Sequence, residues 1–99
     1  MISIEYLAGF VDGEGCIDRC GWGGNRDIPR LRISQVYGDK LMEAIESQYG
    51  GTLSRKKKRN NIKRDYYTWT ITGKAATTLL KQLLPYLWVK KDKALEVLG

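Results

Sequence analysis

The chain has 99 residues, enough for one small domain expected to span 1–99 and to bury roughly 60–65% of its unfolded surface. A hydrophobic content of 42% excludes disorder, no apolar run nears the ~18 residues of a membrane span, and the N-terminus lacks the basic flank and long apolar region of a signal peptide. Lys and Arg number 17 against 11 Asp and Glu, a net +6 suited to polyanions, and the lack of histidine excludes Ser-His and Cys-His nucleophile pairs, leaving any catalysis to carboxylates, lysines, water and metal.

Ile4 to Gly13 reads as a short helix with Ser3 as N-cap and Glu5 in its first turn. Ile4, Leu7, Ala8 and Val11 share one helical stripe. Gly9, inside the helix, costs ~1 kcal/mol against Ala and so needs a packing reason. The helix runs into "DGEG" (Asp12 to Gly15), which puts carboxylates at the negative end of the helix dipole; a bound cation would offset that cost.

From Gly15 to about Trp22 the period changes to two, and "GWGGN" (Gly21 to Asn25) reads as a hairpin turn. Cys16 and Cys20, four apart on that strand, would have Cα atoms ~13 Å apart, too far for a disulfide. With no histidine and no second Cys pair to complete a zinc site, both read as reduced thiols of an intracellular, reducing compartment. In the second strand Leu31 and Ile33 alternate with Arg30, Arg32 and Ser34, and Pro29 suits its start or an edge.

Asp39 to Tyr49 reads as a helix burying Leu41, Met42, Ile45 and Tyr49, closed by Gly50-Gly51. A second hairpin follows, Thr52 to Lys58 and Ile62 to Thr72, turning at Asn60-Asn61. A third helix spans about Lys74 to Leu84 with Ala76, Leu79, Leu80 and Leu83 inward, and Pro85 ends it. A short helix from about Lys91 to Leu98 follows. Trp69, Tyr67 and Tyr86 read as core aromatics.

The order implies an α+β domain with helices on one face of a four-stranded antiparallel sheet. By alternation the other face carries Arg30, Arg32, Ser34, Ser54, Lys56, Lys58, Arg64, Tyr66, Thr68 and Thr70. A broad basic-polar face without matching acids suits a β-ribbon that enters the major groove of double-stranded DNA, with Tyr66 as the DNA-facing aromatic. A single such unit covers half of an extended site, so a symmetric dimer completes it.

"YLAGFVDGEG" (Tyr6 to Gly15) resembles the signature of the LAGLIDADG homing endonucleases, "LRISQV" (Leu31 to Val36) resembles their second strand ending in Gln, and "PYLWVKK" (Pro85 to Lys91) their Pro-aromatic-Leu-x-x-Lys segment. The resemblance implies the αββαββα fold with a saddle-shaped sheet, and a homodimer formed through the motif helix at Leu7, Ala8, Gly9, Val11 and Asp12. It implies metal-dependent cleavage of a long, near-palindromic double-stranded DNA site, in a mobile intron or intein setting. Glu14 then binds divalent metal (Mg²⁺), with the Gly13 carbonyl as a further ligand; Gln35 positions water or metal ligands, and Lys90 sits near the scissile phosphate. Asp12 braces the helix ends rather than binding metal. Glu14 stands where the motif usually has Asp, one methylene shorter, a difference that can move a metal by ~1 Å.

Three functions fit these residues: the homodimeric endonuclease, a cleavage-deficient DNA-binding regulator or RNA-splicing maturase of the same fold, and a half-domain needing a different partner chain. Glu14, Gln35 and Lys90 together favour the first over the second, and the self-complementary Ala8/Gly9 face favours it over the third.

Overall fold

A computed structural model describes residues 1–21, 27–35, 39–56 and 66–99. Among the described residues the elements run α1 (Ile4–Glu14), β1 (Gly15–Cys20), β2 (Ile28–Gln35), α2 (Asp39–Tyr49), β3 (Thr52–Lys56), β4 (Tyr66–Thr72), α3 (Gly73–Leu83), a 3₁₀ turn (Leu84–Tyr86) and α4 (Lys91–Leu98). The four strands form one antiparallel sheet in the order β1-β2-β4-β3, so both hairpins of the sequence reading exist and join through β2 and β4. The expected turns at Gly21–Asn25 and Asn60-Asn61 lie, beyond Gly21, outside the described residues.

Local chemistry explains the boundaries. Ser3 adopts extended backbone and its hydroxyl accepts from the Tyr6 amide at 3.1 Å, capping α1. Ser3→Ala is expected to cost about 1 kcal/mol, visible as an earlier thermal midpoint. Pro29 pairs with Arg19 on β1, one residue before the pairing with β4 begins at Arg30, so its missing N–H faces no second ladder. Gly50 and Gly51 follow α2 at φ +84° and +87°. A Cβ on Gly51 would lie 2.7 Å from the Thr70 carbonyl and 2.8 Å from Trp69 Nε1, so only glycine closes α2 here.

The helices cover one sheet face: α3 lies on β2 and β4, α2 on β3 and β4, α4 on β1, and α1 on β1, β2 and α3. Between them is one core, in which Leu31, Ile33 and Trp69 from the sheet meet Leu7, Val11, Met42, Ile45, Leu80 and Leu83 from the helices. The Trp69 indole is fully buried, and its N–H donates to the Gly50 carbonyl at 2.7 Å. Glu46 accepts from the Leu53 amide at 2.8 Å, and the Gln48 and Tyr49 side chains bond the Ile2 backbone, tying the C-terminal end of α2 to both the sheet and the first residues. Tyr86 departs from expectation. It is 43% exposed because the 3₁₀ turn containing Pro85 rotates it outward and buries Leu87 instead. Among the described residues no helix is long and apolar enough to cross a membrane.

Candidate functional site

The helix α1 passes into β1 with no intervening loop. Gly15 makes that possible: a Cβ there would sit 2.8 Å from the Val11 carbonyl and 3.0 Å from the Val11 Cα. The sharp turn leaves Glu14 exposed at the last position of α1, at the edge of the sheet face opposite the helices. There Glu14, Cys16, Arg32, Ser34, Tyr66 and Thr68 line a shallow concavity of about 380 Å³. It combines a carboxylate, a guanidinium, hydroxyls and an aromatic, a set that can hold a hydrated cation beside a phosphate. Gly13 is also exposed, and its carbonyl belongs to the row that the end of a helix leaves without intrahelical partners.

Asp12 turns the other way and braces the chain to itself. Its carboxylate accepts from the Trp88 amide at 2.7 Å and the Lys90 amide at 3.0 Å, and the Lys90 ammonium donates back to the Asp12 carbonyl at 2.6 Å. Lys90 thereby cancels part of the negative end of α1, two residues before Glu14. Burial opposes ionisation of Asp12, but the backbone N–H groups of Trp88, Lys90 and Val89, with the Lys90 charge, outweigh it and hold the carboxyl below its ordinary value of 3.8. A depressed native pKa stabilises the fold above the unfolded-state value and loses that contribution as pH falls through the native one. Asp12→Ala is therefore expected to cost about 2 kcal/mol near neutrality, a fall of roughly 8–16 °C in Tm. The gap from wild type should close as pH drops below 3.8, which thermal melts at several pH values would check.

The remaining predicted positions fall on both faces of the sheet. Gln35 ends β2 on the same side as Leu31 and Ile33, half-buried toward the helices, so it does not line the Glu14 concavity. Arg30, Arg32, Ser34, Ser54, Tyr66, Thr68 and Thr70 share the opposite face. Ser34 and Thr68 stand directly opposite and share a 3.0 Å hydrogen bond, and the Ser54 hydroxyl reaches the Thr68 carbonyl at 3.5 Å. The Lys56 backbone closes β3; its side chain, with Lys58 and Arg64, lies outside the described residues.

Two expectations are corrected. Leu7, Ala8 and Val11, read as a surface for a second chain, are fully buried in this chain's own core, because a domain this small needs the apolar stripe of α1 to cover its sheet. Asp12 likewise commits its carboxylate within the chain. The outward face of α1 is Tyr6, Gly9 and Gly13, and a Cβ at either glycine would meet nothing within 4 Å. Beyond it, Trp88 and Val89 are 88% and 77% exposed. The basic face is also not free of acids. Asp18 stands opposite Arg30 in the β1–β2 register and holds it by two hydrogen bonds of 2.8 and 2.7 Å, a bond that keeps the Asp18 carboxyl below its ordinary value against the effect of burial. Alternation carried back from Gly15 through Cys16 and Asp18 was the signal for both residues.

Among the described residues no three His, Cys, Asp or Glu side chains cluster for a metal. Among the described residues lining the concavity, one chain offers a single hard carboxylate, Glu14, with the Gly13 carbonyl beside it, at a solvated edge. That set fits Mg²⁺, which keeps several waters and takes one or two carboxylates.

The profile of the LAGLIDADG endonuclease family matches residues 7–96. Comparison with curated protein sequences gives no match. Among solved structures, the homing endonuclease I-CvuI in complex with its target in 2 mM Ca superposes with a TM-score of 0.74 at 29% identity, covering 96% of this chain and 62% of that one. I-CvuI with the I-CreI target in 2 mM Mg, its DNA not cleaved, gives 0.73 at 29% identity. The archaeal intron-encoded homing endonuclease I-Vdi141I complexed with DNA gives 0.71 at 22% identity, covering 95% of this chain and 63% of that one. The meganuclease I-SmaMI on uncleavable DNA gives 0.70 at 21% identity, covering 96% and 35%. The last two show likeness of fold, and the chain spans less than two thirds of each of these proteins.

Proposed function

The chain belongs to the LAGLIDADG endonuclease family, and from that premise we propose that residues 1–99 act as one unit of a site-specific, Mg²⁺-dependent endonuclease, a homodimer that cuts a long near-palindromic double-stranded DNA site. The observation that carries the reading is Glu14, held exposed at the end of α1 in a concavity with Arg32, Ser34, Tyr66 and Thr68. A carboxylate has no use against a phosphate backbone unless a cation stands between them.

Hydrolysis of a phosphodiester needs an in-line water, neutralised non-bridging oxygens and a stabilised leaving 3′ oxygen. Glu14 and the Gly13 carbonyl, with the same pair from a second copy, would hold Mg²⁺; two Glu14 carboxylates repel without it, which ties cation binding to the dimer. Bound there, Mg²⁺ supplies charge to the phosphate oxygens and lowers the pKa of a water. Arg32 and the hydroxyl-rich face hold and orient the duplex. Lys90, seated on the Asp12 carbonyl, adds positive charge beside the end of α1. Gly9 and Gly13 give the second copy a surface on which two helices approach closely.

The test is cleavage of a randomised near-palindromic duplex library in Mg²⁺, Ca²⁺ or EDTA. Staggered double-strand cuts that need Mg²⁺ support the endonuclease and reveal its site. Tight, sequence-selective binding with no cleavage in any metal would instead identify a DNA-binding regulator or maturase.

A further inference from the structure

We propose that Asp18 and Arg30 form a guanine-reading subsite on the sheet face, in which Asp18 holds the Arg30 guanidinium in the orientation that presents its free end to a base edge. The proposal rests on the DNA-binding reading above and assigns one pair within it.

The β1–β2 register puts Asp18 directly across from Arg30 on the face away from the helices. Arg30 Nε donates to Asp18 Oδ1 at 2.8 Å and Nη2 to Oδ2 at 2.7 Å, with the side chains 26% and 29% exposed, so the pair is half sunk in the sheet surface. A guanidinium carries five N–H groups, and among the described residues this fork occupies only its Nε/Nη2 side. The end formed by Nη1 and Nη2 keeps two parallel N–H groups, the pattern that matches O6 and N7 of guanine in the major groove. Beside it opens a depression of about 350 Å³ lined by Cys20, Gly21, Ile28, Arg30 and Thr72, with room for a base edge.

Charge supports the same assignment. A carboxylate on a surface that faces a polyanion lowers affinity, and a partly exposed ion pair adds little to stability. What Asp18 supplies is direction. An unanchored arginine swings to the nearest phosphate and carries no sequence information, whereas one locked at its side can bond only what lies ahead of it. The pair therefore trades non-specific attraction for discrimination.

Selection of bound sequences from a randomised duplex library, with wild type, Asp18→Asn and Arg30→Lys, tests this. Wild type should enrich guanine at one position of each half-site. Arg30→Lys keeps the charge but loses the fork, and should lower that preference roughly 10-fold or more while other positions hold. Asp18→Asn, nearly the same shape, should weaken the same preference. It should also raise affinity for unrelated duplex several-fold, with a salt dependence steeper by about one counterion. Loss of guanine preference in Arg30→Lys with none in Asp18→Asn would overturn the role of Asp18, and unchanged profiles in both would overturn the subsite. A wild-type chain that binds no duplex would remove the DNA reading itself, and this proposal with it.

Discussion

Glu14→Gln is expected to reduce cleavage by more than about 10³-fold while leaving sequence-selective DNA binding and the fold intact. The amide keeps the size of the side chain and removes only its charge, so the loss is one of cation holding. The fold should if anything gain a few tenths of a kcal/mol, because Glu14 ends α1 and faces the negative pole of the helix dipole. That opposite sign makes the result clean: a variant that melts no earlier than wild type, binds the same duplex and does not cut it has lost chemistry, not structure. Cleavage that persists in Glu14→Gln would return Glu14 to an ordinary surface acid. Equal loss of binding and cleavage would make it a contact residue.

Gly9→Leu is expected to split the proposed dimer. Among the described residues of the single chain a Cβ at position 9 meets nothing within 4 Å, and the glycine leaves the helix ~1 kcal/mol weaker than alanine would. In the proposed dimer a second α1 lying across Gly9 and Gly13 gives the glycine its reason. In a two-fold interface each clash occurs twice, so about 1.5 kcal/mol of overpacking per copy weakens association by at least ~10²-fold. Sedimentation should show the variant at the mass of one chain under conditions where wild type is dimeric. Its affinity for a full near-palindromic site should fall with it, since only half the contacts act together. Gly9→Ala separates the alternatives by sign. A raised melting temperature with unchanged mass would show that no second helix uses this face.

Periodicity alone could not tell which face of α1 meets its own sheet. Leu7, Ala8 and Val11 read from the sequence as an apolar stripe, and a stripe must be buried somewhere, but whether against its own sheet or a second copy follows only from how the other elements pack. In the fold those residues belong to the core, and Tyr6, Gly9 and Gly13 face outward. The Asp18–Arg30 pair was hidden for a related reason. Both residues could be placed on one sheet face by alternation, but their meeting depends on the register of the hairpin between them.

What the sequence by itself determined is local: α2 at Asp39–Tyr49 and α4 at Lys91–Leu98 begin and end where propensity, glycine and proline say they should, and the apolar phase of β2 and β4 decides which side chains meet the helices. The motif runs at Tyr6–Gly15, Leu31–Val36 and Pro85–Lys91 likewise carry the family resemblance by themselves. Only the tertiary structure decided that Asp12 reaches Trp88 and Lys90, that Gln35 lies away from Glu14, and that Trp88 stands in solvent. The physical reason is range. Backbone hydrogen bonding and side-chain period act within a few residues, whereas a contact between residues 12 and 90 exists only after four strands and three helices have closed one core.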